Sequence, residues 1–506
     1  MTKKSPSATL SFIVILLFPV FFQAVGTPQT LTANADPGTT RKVEFTQLWN
    51  FESDRSFVAS PVFADGLVYV TSANSGSGTG TLYCINASSG TQIWNTTTLF
   101  QTFTVANGYV YLGGAVIPEP STHLFLQGVV SCLNAYDGTE VWNYSYGTSF
   151  ATPVVDGDIV YVPGFNYTLF ADVSIGFIFA FDASTGAKKW DFQGPIGTRF
   201  DIDSLVLAGG NLYAVSAVYT EEDRHWNSAV YAFDASTGEK LWNYSTPGQF
   251  SSLVASGQNV YVSSNFVNTT DITGGTVYEG GVLALNALGG TRIWNYPTDS
   301  SVESLIVANG TVHAVSGIGN VYALDASNGR VIWVYPTRLS TGPALLVNSS
   351  LFVGSSTGVY CFDASNGHVI WNFATDAYAG SSATFPVYSD GVVYVGWNGP
   401  QFFSSVTQHD FYALDALTGE KIGNYTLGYT VQNSPAIINS TVYVGASWVT
   451  EESPDYAGPG AVVALNSTIT LSPQPSTPSS ALAVTLIVIV IIAVAAGLLL
   501  YRKRKR

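Results

Sequence analysis

The sequence predicts an all-β protein in which one four-stranded unit repeats around a ring. The clearest part of the unit, residues 232–243, joins two apolar runs through a short polar turn and so predicts a β-hairpin. Asp234 and Gly238 suit such a turn, because an aspartate oxygen accepts turn N–H groups and glycine tolerates positive φ. The hairpin recurs along the chain, and its tryptophan position returns every 38 to 52 residues, which is the period of a four-stranded propeller blade.

The intact form of this repeat, Ala-x-Asp-x-x-x-Gly-x-x-x-Trp, occurs at residues 180–190, 232–242 and 323–333. It resembles the tryptophan-docking repeat of the pyrroloquinoline-quinone (PQQ)-type β-propellers. That superfamily includes quinone-dependent alcohol dehydrogenases and propellers without a cofactor, such as the outer-membrane assembly lipoprotein, and the latter branch is the one we favour. The resemblance covers roughly residues 43–466. It implies that the repeat tryptophans pack blade against blade: Trp94, Trp142, Trp190, Trp242, Trp294, Trp333 and Trp371.

The two ends of the repeat region predict that the ring closes by pairing of the terminal strands. Residues 43–50 read as an outer strand without a preceding hairpin partner, and residues 461–466 read as a third strand that no tryptophan strand follows. Joining them completes one blade and removes a free sheet edge. Eight complete units precede this split unit, and the last carries Gly423 where tryptophan is expected. Because the family prefers eight blades, we expect eight, with nine as the alternative.

The termini predict export and a membrane anchor. Lys3 and Lys4, an apolar run over residues 10–22 and small residues after it are typical of a signal peptide over residues 1–26, with an uncleaved anchor as the alternative. Residues 27–42 are interpreted as a linker and residues 43–470 as the propeller. A Pro/Ser-rich stalk (residues 471–480), an uncharged transmembrane helix (481–501) and a basic cytoplasmic tail (502–506) follow. We therefore expect a single-pass membrane protein with an extracytoplasmic propeller.

The charge distribution argues against nucleic acid as a partner. Residues 27–480 hold 12 of the 19 basic residues and all 34 acidic residues, which gives this segment a net charge near −22. Such a surface repels phosphate backbones. N-glycosylation is expected at some of the eleven Asn-x-Ser/Thr sites, which are Asn86, Asn95, Asn143, Asn166, Asn243, Asn268, Asn309, Asn348, Asn424, Asn439 and Asn466.

The residues provide little for catalysis. In the dehydrogenases, the resemblance implies a quinone held between a tryptophan and an adjacent Cys-Cys disulfide, together with a calcium ion. This chain has no adjacent cysteine pair, because Cys84, Cys132 and Cys361 are far apart, and its five histidines are scattered singly. We assign no catalytic or metal-binding residue and expect no cofactor, with PQQ and calcium as unsupported alternatives. Buried thiols are expected for the cysteines, with a Cys84–Cys132 bridge as the alternative.

The connections between second and third strands vary most along the chain, and in several blades they contain aromatic and acidic residues. In a propeller these connections emerge at one face, where such residues could bind a protein or glycan. Loop packing and solvated loop charge are the structural alternatives, and calcium binding is a third reading of the acidic runs. The candidate binding-face residues are Glu221, Glu222, Asp223, Trp226, Trp397, Trp448, Glu451 and Glu452.

Three classes of function are compatible with this sequence. The first is a cell-surface, membrane-anchored propeller that acts as a non-catalytic scaffold for an extracellular protein or ligand. The second is a membrane-tethered, PQQ- and calcium-dependent dehydrogenase, and the third is a cell-envelope assembly scaffold. We favour the first, because it requires no catalytic group and agrees with the stalk and the varied connections.

Overall fold

The computed structural model describes residues 39–57, 59–73, 79–116, 127–168, 173–195, 199–220, 225–270, 276–337, 341–375, 382–398, 409–428, 430–431, 434–447 and 459–473. Within these ranges the chain forms 38 β-strands in eight hydrogen-bonded sheets. No helix among these residues is long and apolar enough to cross a membrane. The predicted signal peptide (1–26) and transmembrane helix (481–501) lie outside the described residues.

The first five blades follow one another along the chain, each with its first strand innermost. Blade 1 has β2 (Val62–Ala64), β3 (Leu67–Ala73), β4 (Thr79–Asn86) and the first part of β5 (Gln92–Ala106). Blade 2 has the rest of β5, β6 (Tyr109–Val116), β7 (Gln127–Asn134) and β8 (Glu140–Ser145). Blade 3 has β9 (Ser149–Phe150), β10 (Val154–Asp156), β11 (Ile159–Thr168), β12 (Val173–Asp182) and β13 (Lys188–Gln193). Blade 4 has β14 (Arg199–Ala208), β15 (Asn211–Thr220), β16 (His225–Asp234) and β17 (Lys240–Pro247). Blade 5 has β18 (Gln249–Ser256), β19 (Asn259–Thr270), β20 (Thr276–Asn286) and β21 (Arg292–Thr298).

The remaining blades repeat this order until the chain returns to its first strand. Blade 6 has β22 (Val302–Ala308), β23 (Thr311–Ser316), β24 (Asn320–Asp325) and β25 (Val331–Pro336). Blade 7 has β26 (Thr341–Val347), β27 (Ser350–Ser355), β28 (Gly358–Asp363) and β29 (Val369–Ala374). Blade 8 has β30 (Ser382–Ala383), β31 (Val387–Ser389), β32 (Val392–Asn398), β33 (His409–Asp415) and β34 (Lys421–Thr426). Blade 9 has β35 (Thr430–Val431), β36 (Ala436–Ile438), β37 (Thr441–Ser447), β38 (Gly460–Pro473) and β1 (Thr39–Ser53).

The fold is therefore a nine-bladed β-propeller. The all-β propeller prediction is confirmed, whereas the expectation of eight blades is wrong and the nine-blade alternative is correct. Blades 1 and 2 share one seven-stranded sheet, because β5 serves as the outer strand of one and continues as the inner strand of the next. Every unit lies within the ring, since the outer strand β1 of blade 9 packs back onto blade 1 through Trp49 and Ala87.

The two faces of the ring differ in the connections they carry. Turns from first to second strands and hairpins from third to fourth strands lie together at one face, which we call the hairpin face. In blade 6, for example, the N–H of Ala326 in the hairpin donates to the carbonyl oxygen of Gly310 in the turn, at 2.9 Å. Connections from second to third strands and from blade to blade lie at the opposite face, which we call the connection face.

The hydrophobic core lies between neighbouring blades. One cluster, for instance, packs Tyr213 and Trp242 of blade 4 against Val260 and Leu285 of blade 5, and all four side chains are buried. The second and third strands of each blade are covered on both faces by neighbouring blades. Their sequences are therefore nearly continuous apolar runs. Outer strands alternate in exposure, with the repeat tryptophan buried and its neighbours in solvent.

The ring closes through β1 and β38, which pair antiparallel from Ser53↔Gly460 to Thr39↔Pro473. The paired strands extend beyond the predicted limits of the propeller at both ends. Residues 39–42 were expected to be linker, and residues 471–473 were expected to be stalk. The extension, residues 39–46 and 467–473, is referred to below as the terminal ribbon. It packs on blade 8, where Phe45 contacts the rings of Tyr394 and Phe411 at centroid distances of 6.2 and 5.7 Å.

The terminal ribbon explains why Gly423 replaces the repeat tryptophan in blade 8. A docking tryptophan needs a hairpin in the next blade, but β38 runs on into the ribbon instead of turning after Asn466. The ribbon occupies the space in front of β34, so that a Cβ at Gly423 would lie 2.5 Å from the carbonyl oxygen of Val43. Phe45 packs on Tyr394 there, much as Trp94 packs on Tyr69 in blade 1 at 6.0 Å.

Restoring the repeat consensus at this position is expected to destabilise the protein. Gly423→Trp forces the ribbon away from β34, and overpacking of this kind costs about 1–3 kcal/mol. The measurement is the midpoint of urea unfolding, with Asn424→Trp as control because the Asn424 side chain points into solvent on the same strand. An unchanged or raised midpoint for Gly423→Trp would contradict the role assigned to the ribbon.

Candidate functional site

Each hairpin turn is built around one Asx side chain. In blade 4 the Oδ1 atom of Asp234 accepts N–H groups from Ser236 at 3.0 Å and from Thr237 at 2.8 Å, and the Ser236 hydroxyl donates to it at 2.7 Å. Gly238 completes the turn with φ near +75°. Glycine is also required by space, since a Cβ there would lie 2.5 Å from Cδ2 of Trp190 in the preceding blade.

The turn hydrogen bonds lower the pKa of these carboxyl groups. For Asp234 the main cause is the Ser236 hydroxyl, followed by the Thr237 amide, because both donate to the charged form. The same arrangement, with a hydroxyl two residues later as the main cause, lowers the pKa of three further turn aspartates: Asp182, Asp325 and Asp363. These shifts have a structural origin in the turns.

The turn aspartates make the stability sensitive to acid. A carboxyl group whose folded pKa is lowered contributes stability above its unfolded pKa of about 4, and that contribution is lost as the pH falls below it. Asp234→Asn keeps the acceptor oxygen, as Asn286 does in blade 5 at 3.0 Å from the Leu288 amide. We therefore expect Asp234→Asn to lose less stability than wild type between pH 7 and pH 3, measured by urea unfolding. Asp234→Ala should be less stable at both pH values, and equal acid sensitivity in all three proteins would refute this account.

The repeat tryptophans connect each blade to the next. Every indole Nε1–H donates to the carbonyl oxygen of the alanine that follows the Asx residue in the next blade. The donors and distances are Trp49 2.9 Å, Trp94 3.0 Å, Trp142 3.0 Å, Trp190 3.0 Å, Trp242 2.9 Å, Trp294 3.0 Å, Trp333 2.9 Å and Trp371 3.1 Å. Their rings cover the turn glycines of the next blade. The repeat tryptophans therefore have a structural role between blades.

A buried tyrosine on the second strand shares the same acceptor, and sequence reasoning missed this role. Tyr161 donates to the carbonyl oxygen of Ala235 at 3.0 Å, beside Trp190, and five other blades show the same pair: Tyr69, Tyr111, Tyr213, Tyr261 and Tyr443. Burial raises the pKa of Tyr161 to about 12, so its hydroxyl stays protonated as a donor. The recurring Val-Tyr-Val pattern was the signal that could have indicated it.

Blade 6 departs from this pattern, because His313 occupies the tyrosine position. The imidazole is 2% exposed, lies 5.9 Å from the Trp333 ring, and has an Nδ1 atom without a hydrogen-bond partner. Burial lowers the pKa of His313 to about 4, because the charged form loses its hydration. The same position in blade 7 holds Phe352, packed against Trp371 at 5.7 Å. The tyrosine position of a blade therefore also accommodates an uncharged ring without a hydroxyl group, as His313 and Phe352 show.

All three cysteines are free thiols buried within blades. Cys84 and Cys132 donate from Sγ to the carbonyl oxygens of Ala135 and Ala183 at 3.8 Å, the acceptors already used by the tryptophan and tyrosine. Burial raises the pKa of Cys84, Cys132 and Cys361 to about 12. Cys84 and Cys132 thus donate to different carbonyl oxygens and are not bridged in this structure.

The structure places only some of the candidate binding-face residues. Trp397 lies in β32 and is 5% exposed, so the expectation of an exposed loop does not apply to it, because the strand runs further than the sequence indicated. Trp226 belongs to β16 by its backbone. Five carboxylates and one tryptophan lie outside the described residues, in the connections after β15 and β37: Glu221, Glu222, Asp223, Trp448, Glu451 and Glu452.

The predicted glycosylation sites occupy two kinds of position. Four asparagines are exposed on outer strands directly after the repeat position, in blades 1, 2, 4 and 8: Asn95, Asn143, Asn243 and Asn424. Three more are exposed in first-to-second-strand turns of the hairpin face: Asn309, Asn348 and Asn439. Asn86, Asn166 and Asn466 are half-buried, Asn86 as the Asx residue of its turn, and Asn268 lies on β19.

The residues present do not fit the PQQ site that the resemblance implies for the dehydrogenases. That site needs a vicinal disulfide, whereas the three thiols here lie in blades 1, 2 and 7. Within the part of the chain that the structure describes, no three His, Cys, Asp or Glu side chains converge as metal ligands. The shifted pKa values described above belong to turns and to blade interfaces.

Solved structures with a similar arrangement share little sequence with this chain. A europium-containing methanol dehydrogenase is 13% identical, with 83% of this chain and 93% of that chain covered and a TM-score of 0.49. A quinohemoprotein alcohol dehydrogenase from Comamonas testosteroni is 15% identical, covering 83% and 76%, at 0.49. BamB from Moraxella catarrhalis is 17% identical, covering 83% and 99%, at 0.44. None of these similarities carries an argument about function.

The match to a family profile relates this chain to known proteins more firmly than the similar solved structures do. No curated protein sequence matches the chain significantly. The profile described as "Outer membrane protein assembly factor BamB", of the PQQ type, matches residues 45–116, 104–335 and 318–468. These segments span nearly the whole propeller and include every tryptophan that docks on a neighbouring blade. On this match and on the repeat geometry, the chain belongs to the BamB-like family of PQQ-type β-propellers.

Proposed function

We propose that this protein is a cell-surface, membrane-anchored propeller that serves as a non-catalytic scaffold for an extracellular protein or ligand. One observation carries the proposal, namely the contrast between the two faces. The eight hairpins between third and fourth strands all have five residues, whereas the connections between second and third strands range from two residues in blade 7 to twelve in blade 9. A frame that is constant on one face and varied on the other suits recognition.

The sequence of the varied connections supports binding to a protein or a glycan. The connection of blade 4 contains Glu221, Glu222 and Asp223, and that of blade 9 contains Trp448, Glu451 and Glu452. Aromatic side chains supply contact area at binding surfaces, and carboxylates supply specific hydrogen bonds and charge. The strongly acidic propeller segment makes nucleic acid an unsuitable partner.

The anchor rests on the sequence that follows β38. Residues 481–501 contain no charged residue, and the length of this segment is about that needed to cross some 30 Å of hydrocarbon. Five basic residues follow it. We propose that this segment holds the propeller outside the cell and leaves the C-terminus in the cytoplasm. The exposed asparagines on outer strands are then available for N-glycosylation.

The test compares faces in one binding assay. Purified full-length protein in detergent is applied to intact cells and to a glycan panel. A variant in which residues 448–459 are replaced by the two-residue connection of blade 7 should lose binding. The matched control is Leu288→Ser, on the exposed tip of a hairpin. The control should bind as the wild type does. Retained binding in the connection variant, or loss of binding in the control, would refute the assignment.

A cofactor assay distinguishes the dehydrogenase alternative. Melting of the full-length protein is measured with and without PQQ and calcium, alongside dye reduction with simple alcohols. A ligand at one hundred times its dissociation constant stabilises the folded state by about 2.7 kcal/mol, which gives a clear shift. A shift with PQQ accompanied by dye reduction would replace the scaffold by an oxidoreductase.

An envelope assembly scaffold is the second candidate, and the description of the matching family favours it. This function would require the propeller to capture extended segments of other envelope proteins. Deleting the gene should then lower the amounts of several envelope proteins together, whereas a binding scaffold for one ligand leaves them unchanged.

A further inference from the structure

We propose that the propeller stands with its hairpin face toward the membrane and presents its connection face to the exterior. The inference rests on the membrane anchor of the proposed function and assigns the orientation of the surface that binds. It follows from the course of the terminal ribbon and from the limited reach of the stalk.

The direction of β38 determines the face at which the chain leaves the ring. Third strands run from the connection face to the hairpin face, as β24 does before its hairpin at Ala326. β38 runs the same way, and at the level of the missing hairpin the N–H of Ser467 donates to the carbonyl oxygen of Ser440 at 2.7 Å. Residues 467–473 therefore emerge at the hairpin face.

The terminal ribbon is held against that face by Arg41. Its Nη1 atom donates to the carbonyl oxygen of Gly391 at 3.1 Å and lies 3.4 Å from Oδ2 of Asp415, and a second bond reaches the carbonyl oxygen of Asp390. Gly391 belongs to the first turn of blade 8 and Asp415 to its hairpin. The guanidinium is 16% exposed and the carboxylate 10%, so the pair is largely shielded from water.

The stalk is too short to reverse this orientation. Seven residues separate Pro473 from the predicted helix, and an extended chain covers at most about 3.3–3.6 Å per residue, or roughly 25 Å in all. In blade 9, from which the stalk leaves, the second strand β37 has seven residues, equivalent to about 23 Å between the faces. The fully extended stalk would be used up over that distance, before the twelve-residue connection after β37 is added. A chain that leaves at the hairpin face therefore cannot pass around the ring and enter a membrane beside the connection face.

The orientation has consequences for each face. The variable connections point away from the bilayer, where a partner can approach without contacting lipid. The three turn asparagines Asn309, Asn348 and Asn439 face the membrane, so glycans on them would lie between the ring and the bilayer.

The test uses two exposed apolar positions in neighbouring blades. Leu288 is 78% exposed on a hairpin of blade 5, and Ile318 is 64% exposed on the connection between β23 and β24 in blade 6. Leu288→Cys and Ile318→Cys are made separately in the full chain and labelled with a donor fluorophore. The native thiols serve as an internal control, since Cys84, Cys132 and Cys361 are fully buried and should not react in the folded protein.

The labelled proteins are reconstituted into phosphatidylcholine vesicles that contain an acceptor-labelled lipid. Because a six-residue strand separates the faces by about 20 Å, we expect energy transfer from position 288 to exceed that from position 318 at least about twofold. Equal or reversed transfer in protein that floats with the vesicles would overturn the orientation alone. Failure to float would overturn the anchor of the proposed function, and the orientation with it.

Discussion

Replacing Trp242 with alanine should lower the free energy of unfolding by about 3–5 kcal/mol, the usual cost of deleting a buried tryptophan side chain. The side chain is 8% exposed and fills the interface between blades 4 and 5. Its removal also takes away one of the two donors to the carbonyl oxygen of Ala287, leaving Tyr213 at 3.4 Å. The measurement is equilibrium unfolding in guanidinium chloride, followed by intrinsic fluorescence and by circular dichroism.

Two further variants separate packing from hydrogen bonding at this interface. Trp242→Phe keeps much of the ring but removes the N–H donor, and a single neutral hydrogen bond contributes about 0.5–1.5 kcal/mol. Leu241→Ala serves as control, because Leu241 precedes Trp242 and is 45% exposed. If Leu241→Ala were as damaging as Trp242→Ala, the interface would not be the source of the loss.

The second large effect is a pH dependence that arises from His313. Its folded pKa of about 4 lies below the ordinary value of 6.5, so the unfolded chain binds the proton more tightly. The stability is then complete above pH 6.5 and falls as the pH decreases from 6.5 to 4. A shift of this size corresponds to a loss on the order of 3 kcal/mol at the acidic end.

The test compares His313→Phe with wild type by urea unfolding at intervals between pH 7 and pH 4. Phenylalanine occupies the same position in blade 7, so the variant should fold and should lose the part of the pH dependence that comes from His313. The turn aspartates titrate mainly below this range and are common to both proteins. Parallel pH profiles for the two proteins would show that His313 is not the titrating group.

Local features of this fold could be predicted from the sequence, because they depend on neighbouring residues. The hairpin around Asp234 and Gly238 is an example, since the acceptor and the positive φ both lie within five residues. The docking of the tryptophans was expected only through the family resemblance, and their acceptors became known from the structure. The shared tyrosine donor was missed, although its strand pattern recurs in most blades.

Long-range features could not be predicted, because they depend on how distant segments meet. The repeat count, eight complete units and one split unit, already allowed nine blades, and only the family preference favoured eight. Whether all nine units close in one ring depends on the meeting of Trp49 with Ala87 of blade 1. The contacts of Arg41 with Gly391 and Asp415 join residues more than 300 positions apart, so the outer parts of the ribbon, residues 39–42 and 471–473, were interpreted as linker and stalk. Trp397 was expected in an exposed loop because the sequence does not mark where β32 ends.

The pairing of β1 with β38 also sets the order in which this protein can fold. Thr40 and Ser472, hydrogen-bonded at 3.3 Å, are 432 residues apart in the chain. β1, the first strand among the described residues, therefore gains its partner only after β38 has been synthesised, and contacts of such sequence separation form slowly. Until that pairing forms, β1 exposes an unpaired edge that could join another chain. We therefore expect closure of the propeller to be a late step that requires residues 460–473.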